Sequence, residues 1–391
     1  MHFVERVEKS NIIDSLSFFP AVAILGPRQS GKTTLSKQIC CTEDWVTLDL
    51  EKPSDLAKLE DAESFFQFHR NKNICLDEVQ RRPQIFSLLR SIIDEDRRPG
   101  RFLLLGSASV ELLQQSSESL AGRISYHSIL PLNLKELTHA ALLPPLPLLQ
   151  SLISRGGFPQ SFLAPSDSLS WVWRQQFVQT FLERDLGLLD IKIPPLQMRR
   201  LWLMCAHFHG QILNYSKIAN SLDVTHPTVK SYIDTLNATF MLRYLTPWEV
   251  NLKKRLVKSP KIYIRDSGIL ACLLELSSFE QIFSHPSFGA FWEGVALENI
   301  VQTLRWQELS YGFFRTHTGE EIDLIGTYKQ KILAFEFKTS SSPKIPSTLL
   351  KTLDELKVDS FFVVTPNSDT FTLHGGRVKV TSLGEFLNSV L

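Results

Sequence analysis

Apolar runs alternate with longer stretches of helical spacing over residues 1–135. The runs fall at 21–25, 46–50, 73–76, 102–105 and 124–130, each bounded by turn signals. Continuous apolar runs of this length predict strands covered on both faces, as in a parallel α/β sheet. The pattern changes near residue 140. Residues 142–149 include Pro144, Pro145 and Pro147, which lack the backbone donors of a continuing helix, so this stretch reads as a connector. From 171 to 276 the apolar spacing is mainly helical, with one break at 191–195. After Ser284 a long helical stretch precedes strand-like segments at 312–325, 332–338 and 359–365, a second α/β unit. The expected domains are 1–140, a helical connector or lid at 141–205, a further module at 206–280 and the second α/β unit at 281–391.

Composition narrows the class. A chain of 391 residues exceeds what one hydrophobic core holds, and 43% hydrophobic with 21% charged residues is the balance of a globular chain that folds throughout. Forty-two basic and forty-one acidic residues give no global field, so a nucleic-acid surface would have to be a local patch. The five cysteines (Cys40, Cys41, Cys75, Cys205, Cys272) lack the spacing of a zinc site or a disulfide framework. The charged N-terminal stretch lacks a signal peptide's apolar core, and no apolar run reaches a membrane span. The expected location is therefore the cytosol, with no membrane partner.

The strongest chemistry lies at Gly26, Pro27, Arg28, Gln29, Ser30, Gly31, Lys32, Thr33 and Thr34, between an apolar run and a helical stretch. Glycines there let backbone N–H groups curl around phosphate oxygens, and the following helix adds its positive end. Lys32 is expected to reach the outer phosphates of ATP, and the Thr33 hydroxyl to ligate Mg2+. A buried strand ending in Asp77 and Glu78 would supply a second ligand and the carboxylate that polarises water. Ser107, at a polar strand end, would sit between Glu78 and the terminal phosphate; Arg123 would reach that phosphate in its own or a neighbouring subunit. The plainer readings are a helix-capping turn, a solvated strand end and, for Arg123, a surface ion pair.

The segments GPRQSGKTT (26–34), LDEVQ (76–80), LLLGSAS (103–109) and SESLAGR (117–123) resemble a prokaryotic group of AAA-type ATPases in which the ATPase module precedes a "domain of unknown function 4143". FLERDL (181–186), SPKIYIRDSGILACLL (259–274) and FWEGVALENIV (291–301) resemble the C-terminal region of that group. The resemblance implies a P-loop ATPase fused to a winged-helix module and a restriction-endonuclease-like α/β fold. It implies no biological role.

Two further constellations follow. Residues 214–236 read as helix-turn-helix, with Thr225 a cap, Pro227 in a first turn, and His226, Thr228, Lys230 and Ser231 facing out. Beyond them, residues 251–265 hold Lys253, Lys254, Arg255, Lys258, Lys261 and Arg265 without an acid, a wing suited to gripping DNA phosphates. The alternative is a helical module for packing or for a protein partner. In the C-terminal unit Glu298 falls on an apolar stripe, where a lone acid requires a partner or a metal. Period-two geometry puts Glu336 beside Lys338 on one strand face. The order Glu298, Asp323, Glu336, Lys338 resembles a restriction-endonuclease-like nuclease site, with Asp323 and Glu336 holding Mg2+, Lys338 activating water and Glu298 completing the set. Its alternative is a solvated ion pair on a binding platform. Two functions compete: an ATP switch acting on DNA, and an ATPase that senses or remodels a protein partner.

Overall fold

The computed structural model describes residues 4–107, 120–188, 193–248, 257–306, 310–341 and 343–390. The chain divides into two compact units. The first is Met1–Leu132 with Ala238–Phe240; the second is Asn133–Asn237 with Met241–Leu391.

The first unit is built on five parallel strands: β1 (Ala21–Gly26), β2 (Trp45–Asp49), β3 (Asn73–Asp77), β4 (Phe102–Ser107) and β5 (Ile124–Ser128), in the order β2-β3-β4-β1-β5. Alternate residues of β1 feed two cores. Ala21, Ala23 and Leu25 pack with Leu76, Leu104 and Phe86 on one face, and Val22 and Ile24 with Ile12, Leu35, Leu103 and Leu105 on the other. Burial on both faces is why these strands read as unbroken apolar runs. With β4 on one side of β1 and β5 on the other, chain order reverses around β1, the place where open α/β sheets open a crevice at their carboxyl ends.

The second unit begins in helices. Helix Pro145–Arg155 occupies the stretch read as a connector, which is a correction. Pro144 is its N-cap and Pro145 opens the first turn, where N–H groups have no intrahelical partner and a proline loses nothing. Helices Pro195–His207, Tyr215–Leu222 and His226–Ala238 follow, with a small antiparallel sheet of β6 (Gln211–Ile212), β7 (Leu242–Leu245) and β8 (Lys261–Ile264), β8 in the middle. The RDSG stretch has a structural role. Asp266 caps helix Ser267–Leu273 through Ile269 N–H (2.9 Å) and accepts from Gly157 N–H (2.7 Å), so the chain at 156–157 is clamped to it.

Helix Phe288–Leu304 then packs on a six-stranded mixed sheet of β9 (Tyr311–Arg315), β10 (Glu321–Tyr328), β11 (Lys331–Phe337), β12 (Ser360–Thr365), β13 (Phe371–Leu373) and β14 (Val378–Ser382), in the order β13-β14-β12-β11-β10-β9. The described ends of the segment joining β7 to β8 are stitched onto β9. Phe313 N–H donates to Thr246 O (3.0 Å), Trp248 N–H to Phe313 O (2.7 Å) and Val257 N–H to Arg315 O (3.1 Å). Among the described residues no helix is long and apolar enough to cross a membrane.

Candidate functional site

Residues 26–34 turn from β1 into helix Lys32–Ile39. Gly26 is required by close approach, since a Cβ there would lie 2.1 Å from the Ile129 carbonyl oxygen; Gly31, at φ 99°, takes a left-handed conformation at the helix N-cap. Pro27 and Ser30 are buried, Arg28 is half-buried against Glu51 (3.0 Å), and Gln29, Thr33 and Thr34 are exposed. Lys32 is 5% exposed and donates to Gly26 O (3.0 Å) and Pro27 O (2.8 Å). Burial pulls its pKa down to about 8, against the opposing charges of Glu78 and Asp77. Arg6, absent from the sequence reading, pins the loop from outside by donating to Ser30 O (2.7 Å) and to Leu130 O.

At the end of β3, Asp77 Oδ2 accepts from the Thr33 hydroxyl at 2.7 Å. Burial raises the Asp77 pKa, Thr33 opposes the shift, and Glu78 adds to it. Two hard oxygen donors from two motifs 44 residues apart in sequence thus meet beside the buried lysine. Glu78 follows in a left-handed conformation (φ 57°, ψ 46°), strained by about 1–2 kcal/mol for a residue with a Cβ. Its carboxylate accepts from Gln80 Nε2, which also donates to Ser107 Oγ at 2.8 Å. Ser107 therefore reaches Glu78 through Gln80, a link the sequence reading lacked although LDEVQ contains it. Arg123 is placed elsewhere: its guanidinium forks onto Asp94 (2.7 and 2.9 Å) and donates to Ala121 O (3.0 Å).

In the second unit the structure separates the expected nuclease residues into two groups. Glu298 is buried on its helix as its stripe position demanded, but its partners are cations. Arg243 holds both its oxygens and Arg265 approaches at 3.3 Å. Burial works against ionisation, yet the two arginines bring its pKa down to about 2. Asp323, Glu336 and Lys338 gather in the other group, with Lys338 Nζ 2.6 Å from Glu336 Oε1 and Phe337 N–H donating to Asp323 Oδ2 at 2.9 Å. The helix acid of that group is Glu293, and its centre is Lys261, whose ammonium lies 2.9 Å from Glu293, 2.6 Å from Glu321 and 3.8 Å from Asp323. Burial and the neighbouring carboxylates raise the pKa of Asp323; burial likewise raises that of Glu336 against the pull of Lys338. Among the described residues no three His, Cys, Asp or Glu side chains are placed to hold a metal ion.

Of the outward set on helix His226–Ala238, His226, Lys230 and Ser231 are exposed and Thr228 is half-buried, while Val229, Ile233 and Leu236 pack inward. The basic wing is corrected in part. Lys258 is exposed, but Lys261 and Arg265 turn inward onto carboxylates, so neither is free to grip phosphate. Lys253, Lys254 and Arg255 lie outside the described residues.

The family models described as "AAA domain", "Domain of unknown function (DUF8612)" and "Domain of unknown function (DUF4143)" match residues 19–138, 146–280 and 288–386. Uncharacterized proteins of Mycobacterium bovis and Mycobacterium tuberculosis are each 39% identical over 361 residues, spanning 92% of this chain and 80% of theirs. Among solved structures, a Walker-type ATPase of Pyrococcus abyssi is similar at 15% identity and a TM-score of 0.46, over 70% of this chain and 96% of that one.

Proposed function

This chain belongs to the family of prokaryotic proteins in which an AAA-type ATPase domain precedes the domain of unknown function 4143, and from that premise we propose an ATP-hydrolysing switch that acts on DNA through its second unit. One observation carries the hydrolytic reading. Thr33 and Asp77 meet at 2.7 Å next to Lys32, with Glu78 beside them. Thr33 and Asp77 are hard oxygen donors fitted to Mg2+, which on binding supplies charge neutralisation for the phosphates. Lys32 exchanges its contacts with the loop carbonyls for phosphate oxygens. Backbone N–H groups at the start of helix Lys32–Ile39 hold the phosphates. Glu78, once released by Gln80, orients and deprotonates water, and Gln80 reports the position of Ser107 to that carboxylate.

DNA is supported by the outward face of helix His226–Ala238, with Lys217 and Lys230 exposed close by in sequence. The test is ATP turnover with and without duplex DNA, together with binding across a salt series. Stimulated turnover and affinity that falls steeply with salt are expected. A second reading, a platform for a protein partner, is favoured by a specific observation: the outward helix face carries no arginine, and two of the wing's cations are turned inward. DNA binding that is absent or indifferent to salt would give that reading the lead.

A further inference from the structure

Four carboxylates from three elements converge in the second unit: Glu293 from helix Phe288–Leu304, Glu321 and Asp323 from β10, and Glu336 from β11. A nuclease-like fold with acids in this order implies Mg2+ among them, and the residues can be tested for that fit. Such an ion takes about six oxygen ligands at about 2.0–2.1 Å in near-octahedral array. Here each carboxylate already holds a cation or a protein donor through at least one oxygen. Glu293 Oε1 receives both Lys261 at 2.9 Å and the Tyr263 hydroxyl. Glu321 receives Lys261 at 2.6 Å and Arg315 at 3.1 Å. Asp323 Oδ2 takes the Phe337 amide while its Oδ1 lies 3.8 Å from Lys261, Glu336 Oε1 takes Lys338, and Glu336 Oε2 is buried without a hydrogen-bond partner. With the Lys261 ammonium seated among three of these carboxylates, the residues do not fit a divalent ion.

We propose that Lys261 is the resident cation of this cluster, an ionic lock that fastens β8 to the α/β sheet and excludes divalent metal, so that the second unit does not cleave phosphodiesters by a metal-dependent route. The charge count agrees. Four carboxylates face three cations (Lys261, Lys338 and Arg315), and a divalent ion would have to enter within a few ångströms of an ammonium. Nor can Lys261 step aside. It is 2% exposed, its strand is paired on both sides by β6 and β7, and its ammonium lies 5.6 Å from the centre of the Phe313 ring. Removing one partner of such a buried set leaves charge uncompensated, which gives the lock its hold.

The test is Mn2+ uptake by the nucleotide-free full chain, followed by electron paramagnetic resonance. Wild type is expected to take up no Mn2+ that Asp323→Asn abolishes. Lys261→Met should bind Mn2+ at least tenfold more tightly than wild type, and Lys261→Met with Asp323→Asn should lose it again. Lys261→Met with Glu321→Gln relieves the uncompensated charge and serves if the single variant does not fold. A wild-type Mn2+ site that vanishes in Asp323→Asn overturns the proposal, as do folded Lys261 variants that bind none. If neither Lys261 variant folds, the wild-type measurement decides alone: no Asp323-dependent Mn2+ supports the lock, and its presence overturns it.

Discussion

Nucleotide affinity is expected to fall as the pH rises above about 8, where the buried ammonium of Lys32 gives up its proton. Burial is the main cause of that low pKa, moving it from an ordinary 10.5, while Glu78 and Asp77 pull the other way and Arg28 adds a small push down. At 1.36 kcal/mol for each decade, a move from 10.5 to about 8 is worth about 3 kcal/mol between the charged and neutral forms. Phosphate oxygens restore the preference for charge, so binding above about pH 8 must take up a proton. The association constant then drops about tenfold per pH unit, to a ceiling of about 300-fold if the bound lysine regains its ordinary pKa. Folding responds in the opposite sense. The folded pKa lies below the unfolded one, so the free domain gains stability as pH rises from about 8 towards 10.5. The assay is calorimetric titration of ADP in EDTA, in buffers of different ionisation enthalpy, from about pH 7 to about pH 10. Lys32→Arg, which stays charged, should bind with little dependence on pH over that range. A flat wild-type affinity without proton uptake would refute the reasoning.

Glu78→Gln should bind nucleotide as wild type does and hydrolyse it about 10²- to 10⁴-fold more slowly; unaltered single-turnover rates would remove Glu78 from its role. Gln80→Glu sets a carboxylate against Glu78, so kcat should fall about tenfold or more while KM holds, and a change in KM alone would make Gln80 merely structural. Glu298→Gln should destabilise the second unit by about 3–5 kcal/mol in urea denaturation while leaving nucleotide binding intact, since it strands Arg243 and Arg265. In wild type that stabilisation, present above an unfolded pKa of 4.5, should be lost as pH falls towards about 2. Gly156→Ala should prevent folding of the second unit, because its Cβ would lie 2.1 Å from Asp266 Oδ1 at a φ of 74°; a soluble variant with unchanged circular dichroism would contradict this.

What the sequence disclosed and what it hid follow from the range of each interaction. The loop at 26–34, the strands of the first sheet and the Asp77–Glu78 pair were legible because each is local: an apolar run, a turn and a helix start lie within one stretch of chain. Helix periodicity also found Glu298 and required a partner for it, but Arg243 and Arg265 come from 55 and 33 residues upstream, where no spacing rule links them. The same helix buries Trp292 and every residue from Gly294 to Val301, so its stripe is too broad to mark Glu293 as the acid facing the sheet. Strand alternation placed Glu336 beside Lys338, and they do meet at 2.6 Å. Lys261 was misread because a lysine in a basic run looks solvated until the sheet it enters is known. The prolines at 144–147 misled for a related reason, since a proline's meaning depends on whether a helix is beginning or continuing there.

The stitching of the β7–β8 segment onto β9 has a bearing on association and on engineering. A bare outer strand is a template onto which a second molecule can add its own backbone, and β9 would be one. Thr246, Trp248 and Val257 occupy that border with the chain's own hydrogen bonds, and the opposite border is only the short β13. Both stems of the segment 249–256 are thus anchored to one strand. Lengthening it should be cheap, since doubling a loop adds about 0.6 kcal/mol of closure entropy. A reporter peptide inserted there should leave the sheet intact, whereas trimming the segment until a stem is pulled free should expose β9 and promote aggregation through its edge.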